Sequence, residues 1–124
     1  MRQIKFKAKR LDDEEWVEGD LKHSISYVGI GYPSSAFPDV PIVHRVDPSS
    51  VCMFTGLRDC KGKEIFEHDL IHFVGHKPIG EVIWSEEDYA FMVAASENEP
   101  LYLLSDVLQI GKIERVGNKF DKEK

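Results

Sequence analysis

The sequence predicts a mainly β protein with little helix, folded as a small barrel or sandwich. Three observations carry this. Short alternations of apolar and polar residues, such as Ile4-Lys5-Phe6-Lys7-Ala8, have the period of a half-buried strand. In the second half, turn-forming clusters follow one another roughly every eight to twelve residues, the spacing of short strands joined tightly. Between Gly29 and Ser50 the prolines at 33, 38, 41 and 48 exclude helix and central strand alike.

The elements follow in order. Ile4, Phe6 and Ala8 mark one face of a first strand, with Lys5, Lys7 and Lys9 on the other. Asp12-Asp13-Glu14-Glu15 is a polar turn, and Trp16 to Leu21 opens a second strand. His23 to Ile30 alternates again, with Ile25 and Tyr27 opposed to Ser24, Ser26 and Val28. Gly29–Ser50 reads as a long loop holding one short strand at "IVHRV", and it is the internal boundary. Val51–Leu57 returns to strand. Arg58–Glu64 is a turn with Gly62 where a positive φ is needed. "DLIHFV", "EVIW" and "YAFMVAA" are strands separated by "GHKPIG" and by the turn "SEED". "LYLLSDVLQI" places Leu101, Leu104, Val107 and Leu108 at helical spacing but also suits a turn. "KIERVGN" is extended, stopped by Gly117-Asn118. The organisation expected is a β-hairpin segment and loop over residues 1–50, a barrel over 51–118 and a frayed tail over 119–124.

The chain of 124 residues is 42% hydrophobic, enough for a core without a disulfide scaffold. Its apolar runs are far too short to span a membrane, and "MRQIKFKAKR" lacks the apolar stretch of a signal peptide, so a cytosolic protein is expected. Reduced thiols at Cys52 and Cys60 fit that compartment, and two cysteines make no four-thiolate zinc site. Net charge is −6. Five basic side chains and no acids lie in residues 1–10, and six acids and no bases in 11–20. That reads as charge pairing across a hairpin with solvated faces. A nucleic-acid footprint needs a continuous positive stripe, so duplex DNA is not expected as a tight ligand.

His68, His72 and His76 recur every four residues, as zinc ligands on a helix would. Gly75, Pro78 and β-branched Ile71 and Val74 oppose helix there. On a strand, residues four apart stand about 13 Å from one another, at ~3.3 Å per residue. Two imidazoles sharing a zinc must bring their nitrogens within roughly 4 Å, since each Zn–N bond is about 2 Å. No metal site is expected, although His23 or His44 could still meet them through the fold. Glu86-Glu87-Asp88 reads as a solvated turn tip. No Gly-x-Ser-x-Gly elbow or phosphate-binding Gly-rich loop occurs, so no catalytic residue or cofactor is assigned. Thr55-Gly56-Leu57 reads as a bend. Trp16 and Trp84 read as core aromatics.

"MRQIKFKAKRLDDEEWVEGDL" and "VCMFTGLRDCKGKEIFEHDLIHF" together resemble the YopX family, small proteins common in bacteriophages and prophages. The family signature falls on Phe54, Thr55, Gly56, Leu57, Asp59, Gly62, Glu64, Ile65, Phe66, Glu67 and Asp69, with a C-terminal echo at Val116 to Phe120. The resemblance implies an SH3-like barrel in the central and C-terminal part, with these residues structural, and implies no reaction. Cys60 stands where a polar residue such as Lys is usual, and His68 where glycine is usual. A family glycine there implies a backbone site at φ > 0, which His tolerates better than most residues.

Two function classes remain: a module that docks on a host or phage protein, and a nucleic-acid-processing factor or enzyme with a site the motifs do not disclose. An acidic decoy of a nucleic-acid backbone is a third. Net charge favours the first. "HSISYVGI" and "YAFMVAA" carry almost no charge, and as open edges they would favour a homo-oligomer.

Overall fold

A computed structural model of the chain describes residues 4–37, 39–73, 80–94 and 101–121. It contains β1 (Phe6–Lys9), β2 (Trp16–His23), β3 (Val28–Pro33), β4 (Pro41–Arg45), a 3-10 turn (Pro48–Ser50), β5 (Cys52–Arg58), β6 (Glu64–Phe66), β7 (Asp69–Phe73), β8 (Gly80–Ser85), β9 (Ala90–Ala94), β10 (Tyr102–Leu103), α1 (Leu104–Ile110) and β11 (Ile113–Asn118). The strands form two antiparallel sheets, ordered β4-β3-β2-β1-β5-β6 and β10-β9-β8-β7-β11. The fold is mainly β with one short helix. Two compact units divide the chain, Met1–Phe54 and Thr55–Lys124, and β5 runs from one into the other.

In the first unit β1 and β2 pair in the register Phe6↔Gly19 to Lys9↔Trp16, and β2 pairs β3 from Asp20↔Gly31 to His23↔Val28. One face of these strands carries Ala8, Val17, Ile30 and Val46, all buried, with Phe6, Leu21, Val28, Tyr32 and Val51 packed against them. That is the alternation read from the sequence, now meeting on one side. A bridge between Arg10 and Val46, flanked by Leu11 N–H to Arg45 C=O and Asp47 N–H to Lys9 C=O, brings the end of β4 beside the end of β1. Gly19 makes one close approach possible, because a Cβ there would sit 2.3 Å from the Gly31 carbonyl oxygen.

Several expectations need correction in this unit. Gly29–Ser50 is not a long loop. It contributes most of the β3–β4 hairpin, whose prolines stand where no ladder donor is required: Pro33 and Pro41 face each other at its mouth, and Pro48 begins the 3-10 turn. His23–Ile30 is not one strand. Ser24 N–H bonds the Tyr27 carbonyl and turns the chain, leaving Ile25 fully exposed. The lysine face of β1 is not simply solvated either. Lys7 is buried, its ammonium 4.6 Å from the centre of the Trp16 ring, and Lys9 lies 4.8 Å from the same ring. Trp16 is therefore a half-buried platform for two cations and not a core aromatic.

The second unit places β7 between β8 and β11 (Ile113↔Phe73 to Asn118↔Asp69), with an irregularity between Arg115 and Gly117. The ambiguous segment resolves as β10 followed by α1, which buries Leu104 and Val107 one turn apart and leaves Ile110 in solvent. Trp84, expected in the core, is 39% exposed and meets Phe91 edge to face. The residues expected to fray begin ordered: Lys119 N–H bonds the His68 carbonyl and Asp121 N–H the Asn118 carbonyl. The strands read as open edges are interior ones. β3 lies between β2 and β4, and β9 between β8 and β10. Their lack of charge reflects burial on both sides of the ladder, so it gives no reason for self-association. Among the described residues no helix is long and apolar enough to cross a membrane.

Candidate functional site

The signature residues gather around one turn, and their polar atoms are spent on the fold. Thr55 donates its hydroxyl to the Ile65 carbonyl at 2.7 Å and accepts the Leu57 amide, while Gly56 bends β5 at φ 85°. Asp59 accepts three backbone amides, from Lys61 and Lys63 on Oδ1 and from Arg115 on Oδ2, each at 2.9 Å. Burial pushes its carboxyl pKa up, but the amides of Arg115, Lys63 and Lys61 and the nearby Lys63 charge outweigh this, so it lies below the usual carboxylate range. Gly62 supplies φ 83° with open space around it, as its place in the turn required. Glu64 meets Arg58 at 3.5 Å, and Phe54, Ile65 and Phe66 are buried. Asp69 has no exposure. It accepts the Phe66 amide at 2.7 Å and the Asn118 side-chain amide at 2.8 Å. Arg115 Nε lies 2.9 Å from Asp69 Oδ2 but is not aligned as a hydrogen bond, so the contact is one of charge alone.

His68 takes φ 69°, the positive value implied by a family glycine. Its Nδ1 is 2.9 Å from Glu81 Oε2, its Nε2 3.9 Å from Glu67 Oε2, and its ring meets Phe120 edge to face. His72 lies on β7 opposite Glu114, His23 ends β2, and His44 lies on β4. His76 falls outside the described residues. Among the described residues no three His, Cys, Asp or Glu side chains come together as a metal site. Cys52 is buried, its thiol donating to the Ser50 carbonyl at 3.3 Å, and Cys60 is exposed; the two are not joined in a disulfide. Glu86, Glu87 and Asp88 form an exposed turn closed by Ser85, whose hydroxyl bonds the Asp88 carboxylate and accepts its amide.

An open surface lies on the β3–β4 hairpin. β4 ends its sheet, and Val46 N–H bonds Val28 C=O while Arg45 C=O accepts from Leu11 on the opposite side. By strand alternation Val43, two residues before Arg45, also turns its N–H and C=O outward. Val43 lies flat over Gly29 and Gly31, where added Cβ atoms would stand 2.8 and 3.3 Å from its methyls. A groove of about 460 Å³ opens beside it, lined by Leu11, Asp12, Val43, His44 and Arg45. His44 is positioned by the Tyr32 hydroxyl at 2.9 Å from Nε2, and the Arg45 guanidinium sits 5.0 Å from the Tyr27 ring centre. A side-chain hydrogen bond from Arg10 holds the Asp12 carboxyl below its ordinary pKa. Phe37 (68% exposed), Val40 (60%), Ile42 (39%) and Val43 (38%) follow one another along the tip and edge. The sequence reading passed over them because prolines hid the hairpin. The signal available was Ile42-Val43: adjacent apolar residues on a strand must put one side chain on each face.

Two antiparallel sheets and a turn capped by the Asp59 carboxylate define a small, mainly β protein. More particularly, the chain matches the family model described as YopX protein over residues 5–123, and it belongs to the YopX family of small phage- and prophage-encoded proteins. No curated protein matches the chain.

Proposed function

We propose that the protein is an interaction module of the host-cell cytoplasm that docks on a host or phage protein through the β3–β4 hairpin. It needs no metal or cofactor and carries out no reaction. The supporting observation is the run of exposed apolar side chains Phe37, Val40, Ile42 and Val43 beside an open strand edge and a groove. Isolated exposed apolar residues are ordinary, but several close together beside an open sheet edge suit strand-addition recognition, which uses the edge's main chain and side chains on both faces. The carboxylates of Asp59 and Asp69 are committed to the β5–β6 turn and to β11. An SH3-like barrel in the second unit is part of the same reading. Its support is that Cys60 N–H bonds Ile113 C=O, and Arg115 N–H bonds Asp59, so the β5–β6 turn borders the same strand that pairs with β7.

The test is affinity capture from a bacterial lysate with wild type, with the double variant Phe37→Asp/Ile42→Asp, and with Ile110→Asp. Ile110 is an exposed apolar residue of the second unit and serves as control. A protein retained by wild type and Ile110→Asp but lost by the hairpin variant supports the reading. Equal retention by all three overturns it.

A further inference from the structure

We propose that the aromatic face around the β8–β9 turn docks a cationic stretch of a partner protein, a segment carrying arginine or lysine side chains. The proposal goes beyond the hairpin reading, since every residue it uses lies in the second unit.

Strand register places the aromatic rings. Trp84 pairs with Phe91 across β8 and β9, and Tyr102 of β10 pairs with Val93. Directly paired residues share a face, and so do residues two apart on one strand. Trp84, Phe91, Val93 and Tyr102 therefore stand on one side of this sheet. Phe91 and Val93 are buried there, whereas Trp84 is 39% and Tyr102 53% exposed. Tyr89, in the turn that joins the two strands, is 81% exposed and holds φ 50°, a left-handed value uncommon for an aromatic residue. Among the described residues neither tyrosine side chain has a hydrogen bond or a ring contact. Trp84 meets the Phe91 ring alone.

Charge selects the occupant. Over residues 80–94 and 101–110 the charged side chains are Glu81, Glu86, Glu87, Asp88 and Asp106, with no lysine or arginine. Glu81 is engaged by His68, and Asp88 by the Ser85 hydroxyl. Glu86 and Glu87 are exposed beside Tyr89 and have no cation paired with them among the described residues. Ring faces attract cations, and the carboxylates add to that attraction. An anionic segment meets repulsion from the same groups, and an apolar one strips water from the carboxylates without answering them. A guanidinium stacks flat on a ring while its edge donates to a carboxylate, so arginine suits this face better than lysine.

The probe is a peptide of six arginines, titrated into the full chain carrying Trp16→Phe, which leaves Trp84 as the reporter. The expected result is a saturable, submillimolar change in Trp84 emission, with six lysines binding more weakly. Tyr89→Gly removes the ring and keeps the turn, because glycine is at ease at φ 50°. It should weaken binding about threefold, the share of one exposed cation–π contact. Joint replacement Glu86→Gln and Glu87→Gln should weaken it by a similar factor of about three. Peptides of six glutamates or six serines that bind as tightly as six arginines overturn the proposal. So does arginine binding that neither Tyr89→Gly nor Tyr102→Ser weakens, because net charge alone then accounts for it, and so does the absence of binding at millimolar peptide. Lysate capture through Phe37 and Ile42 is read separately and is unchanged by Tyr89→Gly, so either reading can fail while the other stands.

Discussion

Replacing Asp59 by alanine removes the acceptor for three amides at once. Lys61 and Lys63 are exposed, so their N–H groups regain water, and each loss resembles losing a helix cap, about 1 kcal/mol. The Arg115 amide bonds Asp59 from within β11 and stays half-buried, so leaving it unanswered costs about 2 kcal/mol. Asp59→Ala should therefore lower the stability of the second unit by about 4 kcal/mol, a large share of what small domains possess, roughly 5–15 kcal/mol. Asp59→Asn keeps one acceptor oxygen but turns an NH2 towards the remaining amide, and should cost about half as much. Trp16 lies in the first unit and Trp84 in the second, so a Trp16→Phe background reports the second unit by fluorescence. Urea titration gives the free energies. A loss under about 1 kcal/mol for Asp59→Ala, with unchanged urea dependence, would refute the accounting. The pH dependence has a fixed sign. Because the folded carboxyl lies below its ordinary value, its contribution is complete above the unfolded pKa of about 3.9, and is lost as pH falls through the lower folded value. Asp59→Asn should flatten that part of the acid limb of the stability curve.

Two glycines test backbone freedom against space. Gly62→Ala meets no neighbour and should cost only the strain of φ 83°, about 1–2 kcal/mol by urea titration. Gly19→Ala puts a Cβ 2.3 Å from the Gly31 oxygen and should cost over about 3 kcal/mol or prevent folding of the first unit; similar values for both would contradict the geometry. Cys60 is exposed and Cys52 fully buried, so a thiol reagent should label Cys60 much faster in the native protein, and comparable rates would place Cys60 wrongly. Random duplex DNA should not bind below about 1 μM at physiological salt, because Glu18 and Asp20 alternate with Trp16 and Lys22 along one side of β2; a tight complex that weakens steeply with salt would reverse this.

The sequence by itself determined the elements whose cause is local. Alternation set β1, short apolar runs between turn clusters set β7 and β9, the Gly62 turn needed a positive φ, and the substitution of histidine for a family glycine foretold the positive φ found at His68. The spacing of His68 and His72 on a strand argued against a shared metal, and the family signature assigned the lineage. What only tertiary structure decided depends on residues distant in the chain. Prolines looked like loop until Pro33 and Pro41 were seen to face each other across a hairpin mouth. Lack of charge on β3 and β9 looked like an open edge until strand order placed both inside their sheets. Asp59 and Asp69 read as signature positions, but Arg115 and Asn118, some fifty residues away, give those carboxylates their contacts. The exposure of Phe37, Val40, Ile42 and Val43 belongs to this second class too. A strand's composition fixes which way its side chains alternate, whereas the neighbours that cover or leave open its edge are chosen by pairing across the whole chain.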